Sequence, residues 1–161
     1  MKTFLDDFNK TLDDAVKRLQ LLDEAQSRIP KTPGKWSATQ IIGHLIDSAA
    51  NNHQRFVRAQ FTEDLIFPGY QQEEWVRVQR YDEENWHELI HLWKSYNRHI
   101  IHVVHHIPAE KLTKQRIKHN LHQIAWKTVP EQEPVSLEYF IRDYVGHLKN
   151  HLQQIWLQYK I

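Results

Sequence analysis

Twelve histidines and no cysteine among 161 residues make imidazole, not thiolate, the group through which this chain would bind metal. Two of them, His147 and His151, form an H-x-x-x-H pair, which sets both rings on one face of a helix, one turn apart, able to share one ion. A third, His44, lies in a separate helical stretch, with Ser48, Asn51 and Arg55 along the same flank, roughly 60–120° from an apolar stripe through Ile41, Leu45, Asn52 and Phe56. A guanidinium and an amide beside a core are costly to bury unless they face a polar cavity or each other. Two histidines from one helix and one from another are how a bundle interior assembles a metal site. The same spacing also suits two rim histidines and a hydrogen-bonded core histidine.

The other helical histidines read differently. In the stretch that carries Leu89, Trp93 and Ile100, the rings of His87, His91, His102 and His105 fall roughly 140–160° from the apolar centre, and His99 and His106 about 80–110° away. They face water or the rim, and His53 is a surface residue. His87/His91 and His102/His106 have ligand-like spacing without a third partner.

Four segments with helical periodicity position these groups. The first runs from about Thr3 to Ile29, before Pro30 and Pro33-Gly34. The second starts at Ser37, where Gln40 three residues on makes a capping box, and continues to about Glu63. The linker 64–81, with Pro68-Gly69-Tyr70 and Trp75, is long for a bundle connection, so it crosses the bundle or covers something. The third helix begins at Asp82 as N-cap and ends before Pro108; 113–134 is irregular, a short hairpin or loop; the fourth runs from Ser136 to about Tyr159. Four amphipathic helices in one domain, 1–161, make an all-α four-helix bundle, with a long crossover between its second and third helices. Gly43 and Gly146 each lie inside a helix directly before a candidate ligand, where close helix approach would offset the cost of glycine of about 1 kcal/mol.

Composition narrows the function classes. A net charge of +1 without a basic run speaks against a nucleic-acid partner. The longest stretch free of Asp, Glu, Lys and Arg is 11 residues, against about 18 for a bilayer span. MKTFLDDF has no apolar signal run, so a soluble cytoplasmic protein acting on a small molecule is the expectation.

The run Trp36-Ser37-Ala38-Thr39-Gln40-Ile41-Ile42-Gly43-His44-Leu45-Ile46-Asp47-Ser48, with Arg55-Phe56 downstream, Pro68-Gly69-Tyr70 before Glu74-Trp75, and the closing His147/His151 pair, resembles the DinB-like (YfiT-like) metalloprotein superfamily. The resemblance implies a bundle wired up-down-down-up and one divalent ion, zinc, nickel or iron, held by His44, His147 and His151. It further implies transfer of a low-molecular-weight thiol of the bacillithiol type to small electrophiles, with metal-dependent hydrolysis or a non-enzymatic metal-binding stress role as alternatives, and dimers are common among such proteins. Since the chain has no cysteine, the thiol would come from a cofactor. Arg55 is then the candidate catalytic and carboxylate-clamping residue, with Asn51 and Tyr70 beside it, or else one half of a rim salt bridge. Asp47 and Asp143 are either acceptors for ligand N–H groups or solvated helix residues, and Tyr70 and Trp75 either wall the pocket or pack in the core.

Overall fold

The structure, a computed structural model, describes residues 1–161, and every regular element in it is helical. Helix α1 (Lys2–Leu19) buries Leu5, Phe8, Leu12, Ala15 and Leu19 on one stripe. It stops ten residues short of the expected Ile29. Asp23 caps a separate short helix, α2 (Glu24–Arg28), by accepting from the Gln26 amide, while the Gln26 side chain returns to the Asp23 amide. The Trp86 indole N–H then lies within reach of the carbonyls of Leu19 and Leu22 at the break (3.3 and 3.2 Å).

Helix α3 (Ala38–Arg58) begins with the Ser37/Gln40 capping box and ends before Glu63. Beyond it the chain turns extended, because the Leu65 amide donates to the Lys118 carbonyl and the Asn120 amide to Leu65. The linker holds a helix of its own, α4 (Gln72–Gln79), then a left-handed Arg80 and a 3-10 turn over Tyr81–Glu83. That turn absorbs Asp82, so α5 (Trp86–His105) starts instead from Asn85, whose side chain accepts from the amides of His87 and Glu88. The 113–134 region is neither a plain hairpin nor a bare loop. After α6 (Ala109–Thr113) an antiparallel bridge joins Arg116 to Val135 and a parallel one joins Leu65 to His119, with α7 (Leu121–Ile124) between them and α8. Helix α8 (Leu137–Tyr159) starts at Ser136, as expected.

Side-chain contacts give the helix directions. On α1 and α8, Phe8 meets Tyr144, Asp7 pairs with Lys149 and Arg18 lies over Trp156, so these rods run the same way. On α1 and α5, Asp13 pairs with Lys94 and Arg98 while Leu19 faces Trp86, so they run oppositely. Helix α3 opposes α8, since His44 meets His147 and Phe56 meets Phe140. One continuous apolar core fills the space between the four rods.

Both helix-interior glycines serve aromatic rings from the connections, not close approach of two helices. A Cβ on Gly43 would fall inside the Tyr81 ring, and one on Gly146 would come 2.9 Å from Trp126 Cζ3. Gly43→Ala should therefore lower stability by about 1–3 kcal/mol through overpacking. Gly69→Ala, where only Ile124 comes as near as 3.8 Å, should stay within about 0.5 kcal/mol; urea unfolding of the two variants checks both.

Candidate metal centre

The imidazoles of His44, from α3, and His147 and His151, from α8, meet where these two antiparallel helices cross. His44 Nε2 lies 3.4 Å from His147 Nε2, which lies 2.9 Å from His151 Nε2, and one ring nitrogen of each falls within 4.8 Å of the other two. Nitrogens about 2.0–2.1 Å from a tetrahedral zinc stand about 3.3 Å from one another, so the spacing suits one small divalent ion. His151 Nδ1 sits 3.1 Å from Gln154 Oε1, an acceptor, which assigns that proton to Nδ1 and turns the Nε2 lone pair inward. His44 Nδ1 is buried with no partner. The donor set fits a metal ion.

Burial pushes His44 down to about 3, with the His151 and His147 charges adding to it. It does the same to His147, with His151 as the second cause, and also lowers His151. The rings therefore stand neutral, the form a metal requires. Trp36, immediately before the N-cap of α3, closes the outer side: its ring lies 5.1 Å from that of His44 and stacks at 6.5 Å on His151. The six histidines between 87 and 106 expected to face water are exposed. His53 departs from expectation, half-buried with its ring 5.8 Å from Tyr96 and 5.0 Å from His99.

A cavity of about 410 Å³ adjoins the triad, lined by His147, His151, Arg55, Tyr70, Trp126 and Phe140 among others. Arg55 is 6% exposed, donates to the Pro68 carbonyl at 2.8 Å, contacts Asn52 Oδ1 at 3.4 Å and lies over the Phe140 ring. No carboxylate pairs with it, so the rim ion pair that would have explained it is absent, and burial lowers its pKa. Tyr70 lines the cavity beside it, its hydroxyl driven up chiefly by burial, while the Arg55 charge opposes that rise.

Asn51 turns its amide back to the Asp47 carbonyl and is not among the cavity-lining residues; Asn52 and Ser48 are. Sequence reasoning put Asn52 in the apolar stripe, although an amide two turns beyond His44 was a signal of a polar pocket. Neither acidic candidate contacts an imidazole, and neither is solvated. Asp47, 3% exposed, accepts from Tyr81 and Gln79 through Oδ1, and Asp143 accepts from the amides of Trp126 and Lys127, fixing the wall that follows α7. Trp75 is partly exposed, its ring 4.9 Å from Tyr70, and belongs to neither pocket nor core.

A family model described as the DinB superfamily matches residues 7–155. The chain belongs to this superfamily. It is similar in fold to YfiT from Bacillus subtilis, described as a probable metal-dependent hydrolase with an unusual four-helix bundle topology, at a TM-score of 0.75 and 17% identity over 99% of this chain and 88% of that one. A mycothiol-dependent maleylpyruvate isomerase shares the fold at a TM-score of 0.57 and 12% identity, over 95% of this chain and 58% of that one. Curated relatives from Bacillus cereus and Bacillus anthracis, named "Putative metal-dependent hydrolase", are 25% identical over 76 residues, 47% of this chain and 44% of theirs. The matched segment thus spans less than half the length of these relatives.

Two outcomes follow from the triad. In metal-free protein the neutral native rings of His44 and His147 carry folded pKa values near 3, below the unfolded value of 6.5. Unfolding therefore takes up about two protons between these limits, and stability falls as pH drops from 6.5 towards 3, measured by urea midpoints across that range. In untagged protein, His44→Ala and His151→Ala should lower bound metal to background by elemental analysis, while His91→Ala, exposed on α5, should leave it unchanged.

Proposed function

We propose that the chain is a divalent-metal-dependent enzyme that transfers a low-molecular-weight thiol of the bacillithiol type to a small electrophile, with His44, His147 and His151 holding the ion. The observation that carries this reading is the buried guanidinium of Arg55, which has no carboxylate of its own and shares a polar cavity with His147 and His151. An anionic group on the bound molecule would supply the missing partner, and a bidentate carboxylate fits the guanidinium fork. A divalent ion at the triad supplies a Lewis-acid position that stabilises a sulfur or oxygen anion. Arg55 then orients the thiol-bearing molecule by its carboxylate, Tyr70 and Phe140 flank it, and Trp36 keeps water from the outer side of the rings. With a haloarene, the carbon–sulfur bond forms as the carbon–halogen bond breaks, halide leaves, and the thiol proton passes to solvent. No oxidant or reductant is required. The absence of cysteine fits a thiol brought in from outside.

A second reading, hydrolysis of a small anionic substrate, is supported by the names of the curated relatives. It uses the same residues, with water in place of the thiol.

Metal-loaded protein should consume bacillithiol with an epoxide or haloarene, and a chelator should stop it. Arg55→Ala should raise the KM for the thiol about 10- to 100-fold, the loss of one charge-assisted contact, with a smaller effect on kcat. Metal-dependent turnover that ignores added thiol would establish hydrolysis instead. Bound metal without turnover across both substrate panels would leave a non-enzymatic metal-binding role.

A further inference from the structure

Trp126, on the segment between α7 and α8, is 42% exposed, yet its position is closely specified. Its own amide and that of Lys127 donate to the two oxygens of Asp143, at 2.9 and 2.8 Å. The Tyr139 hydroxyl donates to the Lys127 carbonyl at 2.9 Å, so the backbone is held on both sides of the tryptophan. The six-membered ring of the indole sits against Gly146, where a Cβ would come 2.9 Å from Cζ3, and the Lys127 ammonium lies over the ring, 5.1 Å from its centroid. A lone exposed aromatic is ordinary and requires no such seat. Here the seat is built from costly parts. A glycine inside a helix weakens it relative to alanine, and a buried carboxylate must be repaid by the amides it accepts from.

The ring so fixed is a wall of the cavity, beside the triad. Its centroid is 6.5 Å from that of His147, and both residues line the same space of about 410 Å³. Arg55 lines it too, donating to the Pro68 carbonyl and lying over Phe140. The cavity therefore has two unlike walls, a cationic one and an aromatic one. In the thiol-transfer reading, Arg55 takes the carboxylate of the thiol-bearing molecule. The second reactant must then approach the triad along the wall that remains, which is Trp126. A flat indole favours another flat ring, which adds offset stacking to the burial of apolar area; an aliphatic chain of similar size gains only the burial.

We propose that Trp126 is the specificity-determining residue for the electrophile, a fixed stacking platform that selects small aromatic electrophiles over aliphatic ones of similar size. This rests on the transfer reading above and names the class of its second substrate.

Phenyl glycidyl ether and butyl glycidyl ether test it, since they share one reactive epoxide and differ in ring against chain. With bacillithiol, a carbon–sulfur bond forms as an epoxide carbon–oxygen bond breaks, and the thiol proton ends on the freed oxygen. Trp126→Ala should cut the phenyl-over-butyl ratio of kcat/KM roughly 5- to 50-fold, the scale of one lost stacking contact, chiefly through KM. Trp126→Phe keeps a ring and should hold that ratio within about threefold of wild type. An unchanged ratio in Trp126→Ala, even with both rates lowered, would reduce Trp126 to a packing residue. Saturation-transfer NMR without any thiol supplies a readout independent of turnover, using the phenyl and butyl ethers of glycerol, unreactive counterparts of the two epoxides. The phenyl protons should receive saturation from wild-type protein and lose it in Trp126→Ala. If neither epoxide is consumed, the transfer reading fails and these spectra still decide: a phenyl signal absent from wild type, or undiminished in Trp126→Ala, would overturn the platform.

Discussion

Three imidazole nitrogens 2.9–3.4 Å apart in neighbouring pairs, in surroundings that keep the rings uncharged, are the constraint on which the rest of the molecule depends. Neutral rings carry one proton each. Gln154 draws the His151 proton outward and so turns that ring's Nε2 lone pair to the triad centre. Other contacts hold this centre: α3 and α8 are fixed by the core contacts of Phe56, Phe140 and Tyr144, and the Tyr144 hydroxyl is anchored in turn on the buried Asn97. The apolar interior thus holds the three rings in place, and that is the preorganisation a metal site needs.

The connections share in this support. Tyr81 and Trp126, from segments before α5 and after α7, press into α3 and α8 where Gly43 and Gly146 remove a side chain. Each glycine directly precedes a triad histidine, so the packing that seats a connection also sits beside that imidazole. Asp47 and Asp143 repeat the pattern with hydrogen bonds, one tying down the turn before α5 and the other the wall beyond α7.

The four long rods, the Ser37/Gln40 cap and the distinctiveness of His44, His147 and His151 were legible in the sequence because they depend on period and spacing, which are local. The break between α1 and α2 was not, since it is stabilised by the indole of Trp86, more than sixty residues away. Asn85 outcompeted Asp82 as the α5 cap because the intervening 3-10 turn consumed Asp82, a choice made by how Tyr81 docks on α3. Asn52 was misplaced for a related reason: the stripe it falls in is apolar on average, and only tertiary structure opens a polar cavity beside it. Residues 113–134 carried no usable period because their pairing partners, Leu65 and Val135, lie at or beyond the segment's ends.

Asn120 binds both the amide and the carbonyl of Phe67, and the parallel bridge next to it joins Leu65 to His119. This clasp ties the 68–70 strip that receives Arg55 to the 123–126 strip that carries Trp126. Parting these two strips would mean breaking both Asn120 hydrogen bonds and the bridge beside them, contacts that lie away from the triad.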